Sequence, residues 1–158
     1  MILSDAEIKS KRLVEIEPFS EKNLTPSGYD LSIGEVMLPD RGEGAIVNDG
    51  WVDVPPMSRF VVSTVEYVRL SPRVAGELWL RTSWARRGVL ASFGLVDPGF
   101  EGTLTLAAFN SSTDMLRVEV GKRFAQIVFH VVSGGVEKTY AERSGKYQGQ
   151  RGVTLSRE

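Results

Sequence analysis

The stretch that decides the fold is Phe93–Asn110, which reads FGLVDPGFEGTLTLAAFN. Its centre, Asp97-Pro98-Gly99, predicts a tight turn, because proline presets φ for one turn position and glycine accepts the positive φ often needed next. From Thr103 to Ala108 the residues alternate between the two faces of a strand. We therefore predict two β runs around a turn, with the carboxylate of Asp97 at its first corner. Taken alone, this pattern also fits a surface hairpin with an ordinary turn aspartate.

Short β-type segments separated by glycine and proline fill the rest of the chain. Ser4 and Glu7 fit a capping box that starts a short N-terminal helix. The turn signal Asn48-Asp49-Gly50 predicts a hairpin between the segments on either side of it. Further strands are predicted at 59–63, 67–70, 74–80 and 124–132. This pattern favours an all-β barrel or a jelly-roll-like fold.

The chain shows no internal repeat or linker, so we expect one domain over residues 1–158. From Gly134 the composition becomes polar and rich in glycine. Such a segment is too polar for a core strand, so residues 134–158 are predicted to form a mobile arm.

Composition excludes several classes of protein. The net charge of -1 argues against a dedicated nucleic-acid surface, which is usually strongly basic. The chain has no cysteine, which excludes disulfides and thiolate metal sites, and its single histidine, His130, lies in an apolar strand where a structural role is favoured. No apolar run is long enough to span a membrane, and the N-terminus lacks a signal-peptide layout. We therefore expect a cytoplasmic protein.

Three segments carry groups that suit anion binding. Arg81–Arg86 combines guanidiniums, hydroxyls and a predicted helix start, with Thr82 or Ser83 as the cap, although a solvated basic turn fits equally well. Gly121–Gln126 is a weaker candidate. The tail Lys146–Gly152 fits either a flexible anion-binding flap or a disordered basic terminus.

In this order, five segments resemble the superfamily of dCTP deaminases and dUTP pyrophosphatases (dUTPases). They are Ser27–Leu31, Arg81–Arg86, Val96–Gly102, Gly121–Gln126 and Lys146–Gly152. The resemblance implies a distorted β-barrel or jelly-roll subunit, a homotrimer, and active sites at subunit interfaces. It also implies a deoxynucleoside triphosphate ligand, with Mg²⁺ held mainly by the triphosphate and not directly by the protein.

The resemblance assigns roles to individual residues. Asp97 matches the aspartate that activates water in dUTPases. The implied phosphate-binding residues are Arg81, Thr82, Ser83, Arg86, Gln126, Lys146 and Gln150. The implied base- and sugar-binding residues are Phe100, Thr105, Leu106, Ala107 and Tyr140.

One departure from the superfamily's pattern separates its two reactions. Deaminases carry a proton-shuttling glutamate at the position of Ala107, and no carboxylate lies in 103–112 to replace it. A methyl group cannot act as a general acid or base. We therefore expect a dUTP diphosphatase. The alternatives are a dCTP deaminase with another proton shuttle, and a catalytically silent regulatory protein that binds dUTP or dTTP.

Overall fold

The computed structural model describes residues 1–40 and 45–156. Its helices are short: α1 is Asp5–Lys9, α2 is Thr82–Ala85 and α3 is Tyr140–Arg143. The predicted capping box at α1 is confirmed, since the backbone N–H of Ser4 donates to the Glu7 carboxylate (2.9 Å) and the N–H of Glu7 donates to the Ser4 hydroxyl (3.3 Å). Within the described ranges, no helix has the length and apolar character needed to cross a membrane.

Strands make up most of the regular secondary structure, which confirms the predicted all-β, jelly-roll-like fold. The strands are β1 Val14–Glu17, β2 Leu24–Thr25, β3 Gly28–Met37, β4 Trp51–Val54, β5 Ser58–Thr64, β6 Tyr67–Leu70, β7 Val74–Leu80, β8 Val89–Leu90, β9 Leu95–Val96, β10 Glu101–Gly102, β11 Thr105–Asn110, β12 Leu116–Glu119 and β13 Arg123–Val131. The main sheet runs β8-β11-β5-β3-β13-β7-β9, with β2 beside β3. The smaller sheets are β1-β6-β10 and β4-β12.

The core is built around β13, the near-continuous apolar strand. Phe124 is fully buried, and its ring lies 5.3 Å from that of Trp84, 6.0 Å from that of Phe60 and 6.1 Å from that of Phe93. Aromatic rings at these separations contribute packing beyond their buried area. Because β13 pairs with β3 on one side and β7 on the other, this aromatic cluster lies under the middle of the main sheet.

Both predicted hairpins are wrong in their pairing, although the turn residues behave as expected. Gly50 has a positive φ of 76°, as a turn glycine often does, but β4 pairs with β12, while Val47 bridges Val36. In the central stretch, the N–H of Phe100 donates to the carbonyl of Asp97 (3.1 Å), so the turn forms. The strands that flank the turn do not pair with each other. Instead, β9 pairs with β7, and β11 pairs with β5 and β8. In each case, pairing with a distant strand replaces the local hairpin.

The C-terminal arm was predicted to be mobile, but in the structure it is docked on its own chain. The N–H of Gly149 donates to the carbonyl of Glu101 (2.8 Å), and the N–H of Thr103 donates to the carbonyl of Gln150 (3.0 Å). The guanidinium of Arg151 lies over the ring of Tyr67, at 4.5 Å from its centroid. These contacts are mainly backbone hydrogen bonds at the edge of a sheet. A polar segment can make them, because they do not require an apolar face.

Candidate functional site

A cavity of about 540 Å³ lies between the Asp97 turn and the docked arm, and we call it the arm cleft. The predicted site residues that line it are Asp97, Phe100, Thr105, Leu106, Ala107, Tyr140, Lys146 and Gln150. The structure therefore brings together the predicted catalytic residue, the whole predicted base and sugar set, and two of the predicted phosphate ligands.

Helix α3 fixes the turn that carries Asp97. The N–H of Tyr140 donates to the carbonyl of Pro98 (2.9 Å), and the ring of Tyr140 packs edge-on against Phe100 at 5.5 Å. Gly99 adopts φ of 83°, and a Cβ there would lie 2.7 Å from the Cβ of Thr139. The turn is thus clamped by the first residues of the arm.

Asp97 and Ala107 define the acid–base chemistry of the arm cleft. Asp97 is exposed, and among the described residues that line this cleft it is the sole carboxylate. Ala107 alternates with the buried residues Leu106 and Ala108, so its methyl group is exposed beside the cleft. The arm cleft therefore offers one proton-accepting carboxylate, located at the turn and not on β11.

Gln150 is held within the protein. Its side-chain N–H donates to the carbonyl of Thr103 (2.8 Å), while its Oε1 is buried and has no partner in the described part of the chain. In this arrangement the side-chain amide is engaged within the protein and is not offered to a phosphate. Its predicted contact with phosphate stays a prediction that requires the bond to Thr103 to open.

A second cavity, of about 520 Å³, holds four of the other five predicted phosphate residues, and we call it the helix cleft. The predicted residues that line it are Arg81, Thr82, Ser83 and Gln126. The sheet order explains their placement, since Gln126 on β13 lies opposite Asp30 on β3 and Trp79 on β7. Residues directly opposite on neighbouring strands share one face of a sheet.

Asp30 orients the cationic side of the helix cleft. Its carboxylate is buried, forms an ion pair with Arg81 Nε across 3.0 Å and accepts a hydrogen bond from Arg123 Nη1 at 3.4 Å. Burial raises the pKa of Asp30, whereas the two guanidiniums act in the opposite direction. The ion pair with Arg81 holds that guanidinium at the start of α2.

Two details of α2 differ from expectation. The N-cap is Arg81, and neither Thr82 nor Ser83 caps the helix, so both hydroxyls are exposed at the helix cleft. Arg86 is the C-cap residue; it is exposed and is not among the residues that line either cleft. Gln126 is also engaged, because its side-chain N–H donates to the Thr25 hydroxyl at 2.8 Å.

The two clefts share no lining residue, so one chain carries the predicted site in two separate halves. Sequence reasoning gave no role to Asp30, Trp79 or Tyr147, which also line the clefts. Asp30 lies within a segment that carried the resemblance, and Trp79 is an aromatic residue next to the basic segment. These sequence positions were available as signals, whereas the contacts of the two residues were not. His130 lies outside both clefts and bonds to Glu77 at 2.8 Å, which fits the structural role expected for it.

Solved structures identify the fold. A dCTP deaminase from Agrobacterium tumefaciens matches with a TM-score of 0.69 at 18% identity, over 83% of this chain and 48% of that chain. The EIAV dUTPase matches with a TM-score of 0.57 at 17% identity, over 84% of this chain and 98% of that chain. The chain therefore has the fold that dCTP deaminases and dUTPases share.

Sequence relatives identify the family. The family model described as dCTP deaminase-like matches residues 39–132. A dCTP deaminase of Thermococcus kodakarensis is 40% identical over 99% of this chain and 98% of its own. A probable deoxyuridine 5′-triphosphate nucleotidohydrolase of Sulfolobus islandicus rod-shaped virus 1 is 39% identical over 100% of this chain and 99% of its own. The chain belongs to the dCTP deaminase-like family.

Proposed function

We propose that this protein is a dUTP diphosphatase, which converts dUTP and water to dUMP and diphosphate. One observation carries the proposal: the arm cleft is lined by the carboxylate of Asp97 and by a methyl group at Ala107. Hydrolysis at the α-phosphorus needs a base beside the attacking water, whereas deamination needs a proton shuttle beside the pyrimidine. The viral relative named as a deoxyuridine triphosphate nucleotidohydrolase supports the same choice.

Asp97 acts as the general base. Its carboxylate accepts a proton from water while the water oxygen bonds to the α-phosphorus, and the bond from that phosphorus to the leaving diphosphate breaks. Its exposed position at the turn lets a water molecule approach. General-base catalysis of this kind contributes roughly 10²–10⁴-fold to a rate.

The helix cleft and Lys146 bind the phosphates. Arginine guanidiniums and backbone or side-chain donors stabilise charge that develops on phosphate oxygens. Arg81, Ser83 and Arg86 supply these groups in and beside the helix cleft, and Lys146 supplies a cation from the arm cleft. Phe100 and Tyr140 pack on one side of the arm cleft and contact the sugar and base.

The two halves of the site meet between subunits of a homotrimer. In one chain the arm cleft and the helix cleft are separate cavities. The exposed apolar side chains of Trp79 (56%) and Leu95 (68%) lie at the helix cleft and the arm cleft respectively, where a second copy would cover them. In this arrangement, the arm cleft of one subunit receives the nucleotide and the helix cleft of its neighbour receives the phosphates.

Mg²⁺ is part of the proposal as an ion carried by the substrate. In this proposal the triphosphate oxygens hold the ion. When bound, the ion would neutralise phosphate charge.

The second candidate is dCTP deamination, which is favoured by the name of the Thermococcus kodakarensis relative. This reaction would need a proton shuttle other than residue 107. Mass-resolved assays with dUTP and with dCTP separate the two functions, because one releases diphosphate and the other releases ammonia.

The decisive variant is Asp97→Asn, which keeps the shape of the side chain and removes its basicity. We expect wild type to produce dUMP from dUTP, and the variant to bind dUTP with turnover lowered by roughly 10²–10⁴-fold. Asp114→Asn is the matched control, since Asp114 is exposed and lines neither cleft. Ammonia release from dCTP by wild type, or unchanged dUTP turnover in Asp97→Asn, would contradict the proposal.

A further inference from the structure

We propose that Glu35 is a positioning residue, which latches the distal part of the arm and so supports Lys146 and Gln150 in the arm cleft. Glu35 lies on β3, far from the arm in sequence. Its carboxylate accepts the backbone N–H of Val153 at 2.6 Å. Hydrogen bonds to charged acceptors are shorter and stronger than neutral ones.

A β-irregularity in β3 accompanies this contact. The register between β3 and β5 shifts between Ile33 and Glu35. Such bulges redirect a side chain relative to its neighbours along the strand. Glu35 is half-buried at this point, where its carboxylate contacts the backbone N–H of Val153 in the arm.

Thr105 joins the latch to the wall of the arm cleft. Its hydroxyl accepts the N–H of Thr154 at 3.0 Å and donates to the carbonyl of Gly152 at 3.4 Å. Thr105 also lines the arm cleft. The arm end therefore rests on a residue that belongs to the cleft itself.

Gly152 shows that the approach is too close for a side chain. Its φ is 66°, and a Cβ at this position would lie 2.6 Å from Glu35 Oε2. Glycine is therefore favoured by the backbone conformation, and an added Cβ would also displace the carboxylate of Glu35 from its present position.

The arm is held at several points along its length. Helix α3 bonds to the Asp97 turn, residues 149–150 pair with Glu101 and Thr103, and Val153 beyond them bonds to Glu35. The bond to Glu35 therefore supports the pairing of residues 149–150 from its distal side. Opening the latch loosens the stretch that carries Lys146 and Gln150, while α3 stays bound.

Hydrogen exchange of the ligand-free protein tests the latch directly. We expect amides of residues 149–154 to exchange about 5-fold faster in Glu35→Gln and on the order of 10–100-fold faster in Glu35→Ala, because a charge-assisted bond is lost. Exchange in β13 should not change. Glu21→Gln is the control, since Glu21 pairs with Lys9. Unchanged arm exchange in Glu35→Ala, or an increase shared by β13, overturns the proposal.

A double-mutant cycle with Gly152→Ala tests the contact from the arm side. In wild type, the added methyl group meets both the strained φ and the carboxylate; in Glu35→Ala it meets only the strained φ. Gly152→Ala should therefore open the arm less in the Glu35→Ala background than in wild type. Additive effects overturn the proposed contact.

The kinetic consequence rests on the proposed function. We expect Glu35→Gln to raise KM for dUTP several-fold with kcat near wild type, because at saturation the phosphates hold Lys146 in place. A fall in kcat at constant KM overturns the positioning role. If wild type does not hydrolyse dUTP, the proposed function fails, while the exchange experiment still decides the latch.

Discussion

At the scale of single residues, the buried carboxylate of Glu66 sets a pH dependence of stability. Glu66 is 2% exposed and accepts from the N–H of Ser32 at 2.8 Å and from the amide of Asn23 at 3.3 Å. Burial raises the pKa of Glu66, and these hydrogen bonds only partly oppose it. Because the folded state holds this proton more tightly than the unfolded chain, Glu66 lowers stability as pH rises from its ordinary value through the raised one.

Glu66→Gln tests this dependence. The amide keeps an acceptor for Ser32, and Asn23 can present its own carbonyl oxygen to the new N–H group. We expect the melting temperature to fall less between pH 4.5 and pH 7 than in wild type, and to be at least equal to wild type at pH 7. Thermal unfolding across this pH range checks it, with Glu21→Gln as an exposed control. Parallel curves for Glu66→Gln and wild type would show that folding does not raise the pKa of Glu66.

Single residues also mark what the sequence can predict. Asp97 was identified because turn chemistry and the resemblance both converge on one short segment. Glu35 and Asp30 were not given roles, since their partners, Val153 and Arg81, are distant along the chain. A local pattern carries no information about which distant backbone N–H or guanidinium a carboxylate will meet.

At the scale of elements, the turn and α3 behave as one unit. The turn supplies the carbonyl of Pro98, α3 supplies the N–H of Tyr140, and Gln148 further along the arm donates to the carbonyl of Gly99 at 3.1 Å. The turn itself was predictable from proline and glycine. The contact between the arm and the turn could not be predicted, because a polar arm is expected to be exposed to solvent. Its polarity gave no indication of the backbone hydrogen bonds that it forms.

Gly99→Ala tests the packing of this unit. The new methyl group meets Thr139 at 2.7 Å and also forces alanine into a positive φ. Gly50→Ala is a matched control, because Gly50 has φ of 76° and nothing within 4 Å of its added Cβ. We expect both to lose on the order of 1 kcal/mol from strain, and Gly99→Ala to lose more through the clash. Equal losses in chemical denaturation would show that Thr139 does not clamp the turn.

At the scale of the whole molecule, the distribution of the site over two clefts is the main consequence of the fold. The presence of strands and the all-β class could be predicted from the alternation of residues and from the turn residues. The pairing of the strands could not be predicted, because Trp51–Val54 and Leu95–Val96 each pair with a strand far away in sequence. The same non-local pairing separates the Asp97 turn from α2.

Mixing two inactive variants tests whether subunits share the site. Asp97→Asn removes the base of the arm cleft, and Arg86→Ala removes a cation beside the helix cleft, at a cost on the order of 1.5–3 kcal/mol of phosphate binding. If a neighbour completes each site, equal mixing and reassembly should restore about a quarter of wild-type activity at subsaturating dUTP. Asp97→Asn reassembled with itself is the control. No recovery in verified mixed oligomers would place the whole site within one chain.

The docked arm has a further effect on how this chain behaves among its copies. β10 lies at the edge of the β1-β6-β10 sheet, and Gln150 forms a parallel bridge with Gly102 there. A strand edge with unpaired N–H and carbonyl groups is a template for pairing with another chain. The arm occupies this edge, so the segment that encloses the cleft also protects the folded protein against aggregation through open strand edges.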